Sequence, residues 1–214
     1  MGNLMSVSRA FLSLGYEVRI GEEASLLEGA AGLVLPGVGA FKDCMVNLEK
    51  KGLTGFLKDW FRAGKPFLGI CLGLQLLFSE SHEFGTHRGL DLLKGKVVRF
   101  ADDMQNGNSP GEGGIWRTLK IPHMGWNRVN YPEESRFFRG IPQGSFFYFV
   151  HSYYVVPQED IGTLMTEYGI DFVSGVARDN MLAVQFHPEK SQKVGLRLLS
   201  NFGEITMRDY ERRA

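Results

Sequence analysis

Pro66-Phe67-Leu68-Gly69-Ile70-Cys71-Leu72-Gly73-Leu74-Gln75-Leu76-Leu77-Phe78 is the stretch whose reading decides the fold. Pro66 to Ile70 is a short apolar run behind Gly64, the pattern of a fully buried strand. Leu72 to Phe78 reads as a helix that starts at once. Cys71 therefore sits on a tight strand-to-helix corner, where Gly69 and Gly73 leave room for the backbone and the side chain projects outward. A helix N-terminus beneath a cysteine favours thiolate over thiol. The amide of Leu72 would then face the oxygen of an attacked carbonyl. A buried structural cysteine is the competing reading of Gly69 to Gly73 taken alone.

The same alternation extends towards the N-terminus. Leu4, Val7, Phe11 and Leu14 recur at helical spacing and Gly15 follows, which predicts a helix with one apolar stripe. Tyr16 to Ile20 alternates like a strand. Gly32 to Leu35 is a second buried strand, cut off by Pro36-Gly37. Phe56, Leu57, Trp60 and Phe61 give another helical stripe, closed by Gly64. Strands and helices in alternation imply crossover units, hence an α/β fold of flavodoxin-like type: a mainly parallel central sheet with helices on both faces. The second half reads differently. Val97 to Phe100, Ile115 to Ile121, Phe146 to Val150, Thr163 to Glu167, Phe172 to Ala177 and Leu182 to Gln185 look like strands with short connections, which predicts an antiparallel extension. Ser191 to Phe202 closes the pattern as a helix. Asp102 to Gly114 is polar and rich in Gly, Asn and Ser, and is expected to be a mobile surface loop within one domain spanning residues 1–214.

Composition excludes several classes of function. Lys plus Arg equals Asp plus Glu, at 24 each, so net charge gives no reason to propose nucleic acid or an anionic membrane as a partner. No apolar run approaches the roughly 18 to 20 residues that span a bilayer, and the N-terminus lacks a secretory pattern. Cys44 and Cys71 are too few for a disulfide framework. A reduced, cytoplasmic protein is expected. The histidines at 82, 87, 123, 151 and 187 show no metal-ligand spacing and no Walker-type phosphate loop is present, so neither metal nor cofactor is expected.

A cysteine nucleophile needs a base to take its proton and return it to the leaving amine. Gln185-Phe186-His187-Pro188-Glu189 offers one directly after a strand. Glu189 is placed to accept the second N–H of the imidazole and fix its tautomer, which would complete a Cys-His-Glu triad.

With these residues in view, the chain resembles the class I, triad-type glutamine amidotransferases, and within them the glutaminase subunits of imidazole glycerol phosphate synthase. The resemblance rests on PGVGAF (Pro36 to Phe41), GICLGLQLLF (Gly69 to Phe78), PHMGWN (Pro122 to Asn127), YFVHSYY (Tyr148 to Tyr154) and QFHPEKS (Gln185 to Ser191), which span nearly the whole chain in the family's order. It implies Cys71 as nucleophile, His187 as general base and then acid, and Glu189 as its orienting partner. Pro36 to Gly39 would be the oxyanion strand, with the N–H of Val38 joining that of Leu72. Gln75, Gly39, Glu83, His151, Ser152 and Tyr153 would hold glutamine. Asn3, Trp126, Asn127, Tyr148 and Lys190 would face a (β/α)8-barrel cyclase subunit that receives ammonia in histidine biosynthesis. A glutaminase serving vitamin B6 or purine synthesis, and a non-catalytic scaffold subunit, are the rival readings. The resemblance further implies an apolar strand ahead of Met1-Gly2-Asn3, whose absence here predicts an unpaired sheet edge and exposed apolar surface.

Overall fold

A computed structural model of the chain describes residues 2–105 and 118–213, without side-chain detail for Gly2 and Asn3. The chain opens with helix α1 (Gly2–Ser13) and a single turn α2 (Ala24–Leu27). Strand β1 (Leu33–Gly37), helices α3 (Phe41–Lys50) and α4 (Leu53–Arg62), strand β2 (Phe67–Cys71) and the one-turn helix α5 (Leu72–Gln75) follow. Then come β3 (Phe78–Ser81), β4 (His87–Arg88), β5 (Leu93–Arg99), β6 (His123–Val129), β7 (Ser145–His151), β8 (Tyr153–Pro157), β9 (Gly162–Glu167), β10 (Asp171–Arg178) and β11 (Met181–Val184). Helix α6 (Gln192–Arg213) is the last element.

The main sheet runs β1-β2-β11-β10-β8-β5-β3-β4, with β9 paired to β10. β1, β2 and β11 are mutually parallel, as are β3 and β5. The remaining ladders are antiparallel, including the separate β6–β7 hairpin, so the antiparallel extension is present. Successive side chains on a strand point to opposite faces, and β2 and β11 use both. Leu68, Ile70, Leu182 and Val184 pack with Val7 and Phe11 of α1 and with Leu198, Leu199 and Phe202 of α6. Phe67, Met181 and Ala183 pack with Phe41 and Leu48 of α3 and with Leu53, Leu57 and Trp60 of α4. Each fully buried side chain of this kind contributes roughly 1.5–3 kcal/mol relative to exposure. Among the described residues no helix is long and apolar enough to cross a membrane.

Three expectations are corrected. Tyr16 to Ile20 forms no strand. Among the described residues β1 is paired on one edge, by β2, and Tyr16 to Ile20 does not add to the other; Val18 packs on the core while Ile20 is 48% exposed. The helix expected over Leu72 to Phe78 stops at Gln75. The carbonyls of Leu76 and Leu77 accept the amides of Leu90 and Leu92, at 2.8 and 2.9 Å, and so cannot continue a helical ladder. The last helix begins where expected but runs eleven residues past Phe202, to Arg213. Most of Asp102 to Gly114, and residues 115–117 of the strand expected over Ile115 to Ile121, lie outside the described residues; residues 118–121 form no strand beyond a single bridge from Thr118 to Gln105.

The corner after β2 is held by close approach. A Cβ on Gly73 would lie 1.9 Å from the carbonyl oxygen of Leu35, and one on Gly37 would lie 2.7 Å from Leu72 Cβ. Only hydrogens at both positions let α5 seat against the end of β1. Gly73→Ala should therefore lower stability by about 1–3 kcal/mol or more, as overpacking against backbone does, read as a lower urea midpoint with the slope unchanged.

Candidate active site

Cys71 ends β2 with φ 57° and ψ −112°, a conformation that L-residues rarely hold outside sites where the surrounding fold enforces it. Its side chain is half-buried. In the neighbouring parallel strand, Val184 lies beside Ile70, so the residues following β11 leave the sheet at the same edge as Cys71. His187 follows three residues later. Its backbone N–H donates to the Tyr148 carbonyl at 2.8 Å, and its carbonyl accepts Ser191 Oγ at 2.7 Å. Ser191 Oγ also accepts the N–H of Tyr148 at 3.0 Å, so one buried hydroxyl locks the histidine turn onto β7. Sequence reasoning missed Ser191, although it closes the QFHPEKS stretch.

The His187 Nδ1 lies 2.9 Å from Glu189 Oε1, and both side chains are essentially inaccessible to solvent. That contact leaves Nε2 for Cys71. Burial alone would lower the imidazole, but hydrogen bonds to Cys71 and Glu189 and the charges of both outweigh it, raising His187 to about 9. The ring thus keeps its proton at neutral pH. Cys71, distant in sequence, and the neighbouring His187 and Glu189 form one connected array.

The surrounding residues are brought together in part. Val38 follows β1 directly and is 48% exposed, and Gly39 has φ 100°; in this segment it is Gly37 that packs against Leu72 at the corner. Glu83 Oε2 accepts the N–H of Phe41 at 2.5 Å, which ties its carboxylate to the first turn of α3, two residues beyond Gly39. Burial raises the Tyr153 hydroxyl, and the Glu83 charge adds to the effect. Glu83 therefore lies near Tyr153 and near the segment that follows Gly39. Gln75 is buried, with Nε2 bound to the carbonyl of Tyr153 at 3.2 Å and to Gln185 Oε1 at 2.9 Å. Ser152 links β7 to β8, its carbonyl accepting the N–H of Phe100 at 3.0 Å. His151 turns elsewhere. Its Nδ1 bonds the Tyr153 carbonyl at 2.8 Å and its Nε2 meets His123 Nδ1 at 3.0 Å. Burial lowers His123 to about 4 and His151 to about 3, so both are neutral at physiological pH.

On the β6–β7 hairpin, Trp126 and Tyr148 are cross-strand partners whose rings meet edge to face at 6.1 Å. Lys190 Nζ lies 5.8 Å from the centre of the Tyr148 ring. Met124 and Phe146, 61% and 47% exposed, share the outward face with Trp126 and were not anticipated. Asn127 alternates to the inward side, where Nδ2 bonds the Glu167 carbonyl at 2.7 Å and His123 Nε2 at 3.3 Å. The backbone of Asn3 lies in α1; its side chain is outside the described residues.

Residues 2–205 match the family described as glutamine amidotransferase class-I. The chain belongs to the class-I glutamine amidotransferases. Two curated relatives named imidazole glycerol phosphate synthase subunit HisH are each 50% identical to it over 206 residues. The alignment with the Syntrophotalea carbinolica protein covers 96% of both chains, and that with the Moorella thermoacetica protein covers 96% of this chain and 91% of the other. The Aquifex aeolicus protein of the same name is 48% identical over 204 residues, or 94% and 91% of the two chains. Among solved structures, one described as a glutamine amidotransferase superposes with a TM-score of 0.65 at 19% identity, covering 96% and 95% of the two chains. PurLQS from Thermotoga maritima superposes with a TM-score of 0.66 at 15% identity, covering 94% and 91%. At such identities these structures establish the amidotransferase fold alone, and the sequence relatives carry the finer resemblance.

The three shifted histidines give this amidotransferase a two-sided pH profile. His123 and His151 stay neutral in the fold and protonate near 6.5 when unfolded, so stability is lost as pH falls from about 6.5 towards 4. His187 has the opposite sign: its contribution is fully present below about 6.5 and is lost as pH rises through about 9. The urea midpoint should decline on both sides, and His187→Gln should remove the alkaline decline while leaving the acid one.

Proposed function

We propose that this chain is the glutaminase subunit of an imidazole glycerol phosphate synthase, with residues 1–214 acting as one cytoplasmic amidotransferase unit. The single observation that carries the reading is the connected Cys71–His187–Glu189 array in a chain half identical, over nearly its full length, to curated HisH subunits. In the proposed reaction the thiol proton of Cys71 already rests on His187, and the Sγ anion attacks the side-chain carboxamide carbon of glutamine. The N–H groups of Leu72 and Val38 hold the oxyanion; donors of this kind are each worth about 3–4 kcal/mol in acyl transfer. Collapse breaks the C–N bond, and His187 gives its proton to the departing ammonia. Water, deprotonated by His187, then releases glutamate from the thioester. Glu189 keeps the Nε2 of His187 directed at the sulfur throughout. An imidazole held at about 9 suits this cycle, because it retains the proton until the leaving amine needs it.

In the same reading Gln75, Gly39, Glu83, Ser152 and Tyr153 line the glutamine subsite, and His151 supports it from behind. The exposed Met124, Trp126 and Phe146, with Tyr148 and Lys190 beside them, meet a (β/α)8-barrel cyclase that consumes the ammonia. Asn127 stands beneath this face, and Asn3 is assigned to the partner contact by the resemblance alone.

Cys71→Ala should abolish glutamine-dependent synthesis by the assembled enzyme and leave ammonia-dependent synthesis intact. Loss of both together would show that ammonia supply is not this chain's role. Trp126→Ala should weaken association with the cyclase by about 2 kcal/mol or more, as removal of a central aromatic anchor does, measured by titration calorimetry. Unchanged affinity would move the interface elsewhere.

A further inference from the structure

Gln185 is completely buried at the end of β11, in the pair of positions next after Val184 and Ile70. Its backbone N–H is already satisfied by the Ser174 carbonyl at 2.8 Å, so the side chain serves a separate purpose. Gln185 Nε2 lies 3.6 Å from Cys71 Sγ. Amide nitrogen and oxygen look alike in shape, and the hydrogen-bond network decides which end faces the sulfur. The chain of contacts ends on a backbone carbonyl, which only accepts. The Tyr153 carbonyl takes Gln75 Nε2 at 3.2 Å, and the same nitrogen donates to Gln185 Oε1 at 2.9 Å. Gln185 therefore turns its oxygen to Gln75 and its NH2 to the sulfur.

The second arm on that carbonyl is oriented just as strictly. His151 donates from Nδ1, so its Nε2 accepts from His123 Nδ1, and His123 Nε2 in turn accepts from Asn127. No ring in this arm can reverse without gaining a proton, so the acceptor at Tyr153 and the two glutamine amides behind it stay fixed in one sense.

We propose that Gln185 is a further catalytic residue, whose side-chain N–H donates to Cys71 Sγ and stabilises the sulfur anion formed when the thiol proton passes to His187. The inference rests on the glutaminase reading only for its consequence in turnover; the sulfur contact stands apart from it. In the step concerned the S–H bond breaks, the proton goes to the imidazole, and the electron pair stays on sulfur, where it strengthens the hydrogen bond from the amide. Hydrogen bonds to charged groups are about twice as strong as neutral ones, so the contact acts mainly on the reactive form.

The test uses the full chain and iodoacetamide at neutral pH, with alkylation of each cysteine followed by peptide mass spectrometry. Gln185→Leu removes the donor, and Gln185→Glu puts an oxygen where the N–H stood at nearly constant shape. Both should slow alkylation of Cys71 roughly tenfold or more, the size expected for losing a hydrogen bond to an anion. Cys44, whose thiol burial pushes up and which lies in α3, reports on folding and should react at the wild-type rate. Where Gln185→Leu loses its fold, seen as rapid alkylation of Cys44, Gln185→Glu decides. Unchanged Cys71 alkylation in a folded variant overturns the proposal. With the cyclase partner present, glutamine turnover should fall at least tenfold in kcat with KM within about threefold, whereas a merely structural role would leave the alkylation rate alone. If wild type fails to hydrolyse glutamine while the alkylation difference holds, the glutaminase reading fails and the sulfur contact survives.

Discussion

The parallel register that sets Ile70 beside Val184 is the constraint on which the site depends. Two adjacent strands running in the same direction must release their chains at the same edge of the sheet. β2 releases Cys71 there and β11 releases Gln185 and His187. A slip by one residue would turn every side chain of a strand to the opposite face. The alternation of Phe67, Leu68 and Ile70 between two cores penalises such a slip heavily. Catalytic geometry is thus fixed by apolar packing some distance from it, on both sides of the sheet.

Three buried histidines show how environment assigns different tasks to one residue type. His123 and His151 meet aromatic rings and each other, and burial drives both well below the ordinary imidazole value. His187 is as deeply buried, yet a carboxylate on one side and a sulfur on the other push it the opposite way. The first pair can serve only as fixed donors and acceptors. The third holds a mobile proton. Burial is common to all, and the partners decide the sign.

Much of this was legible in the sequence because it is local. The corner at Gly69 to Gly73, the histidine and glutamate two residues apart, and the apolar periods of α1, α4, β2 and β11 are written in neighbouring residues. What escaped depends on contacts between distant segments. The short α5 ends because Leu90 and Leu92 claim the carbonyls of Leu76 and Leu77 just beyond it, and no residue near Leu76 announces that. Tyr16 to Ile20 has the alternation of a strand, yet among the described residues it joins no ladder. The inward turn of Asn127 follows from the pairing of β6 with β7, which the PHMGWN motif does not reveal. Ser191 and Gln185 stood inside a recognised motif, and their duties appear only once Tyr148 and Cys71 are brought against them.

The left-handed backbone at Cys71 has a consequence for how such a chain can evolve. A non-glycine residue held there costs on the order of 1–3 kcal/mol, offset by packing elsewhere. Glycine would sit at that corner with less strain and would remove the nucleophile. Selection for robustness and selection for chemistry therefore pull in opposite directions at this one position. A lineage released from the need to cleave its substrate would drift towards a smaller residue there, and such a replacement would mark descendants that kept the architecture after losing the reaction.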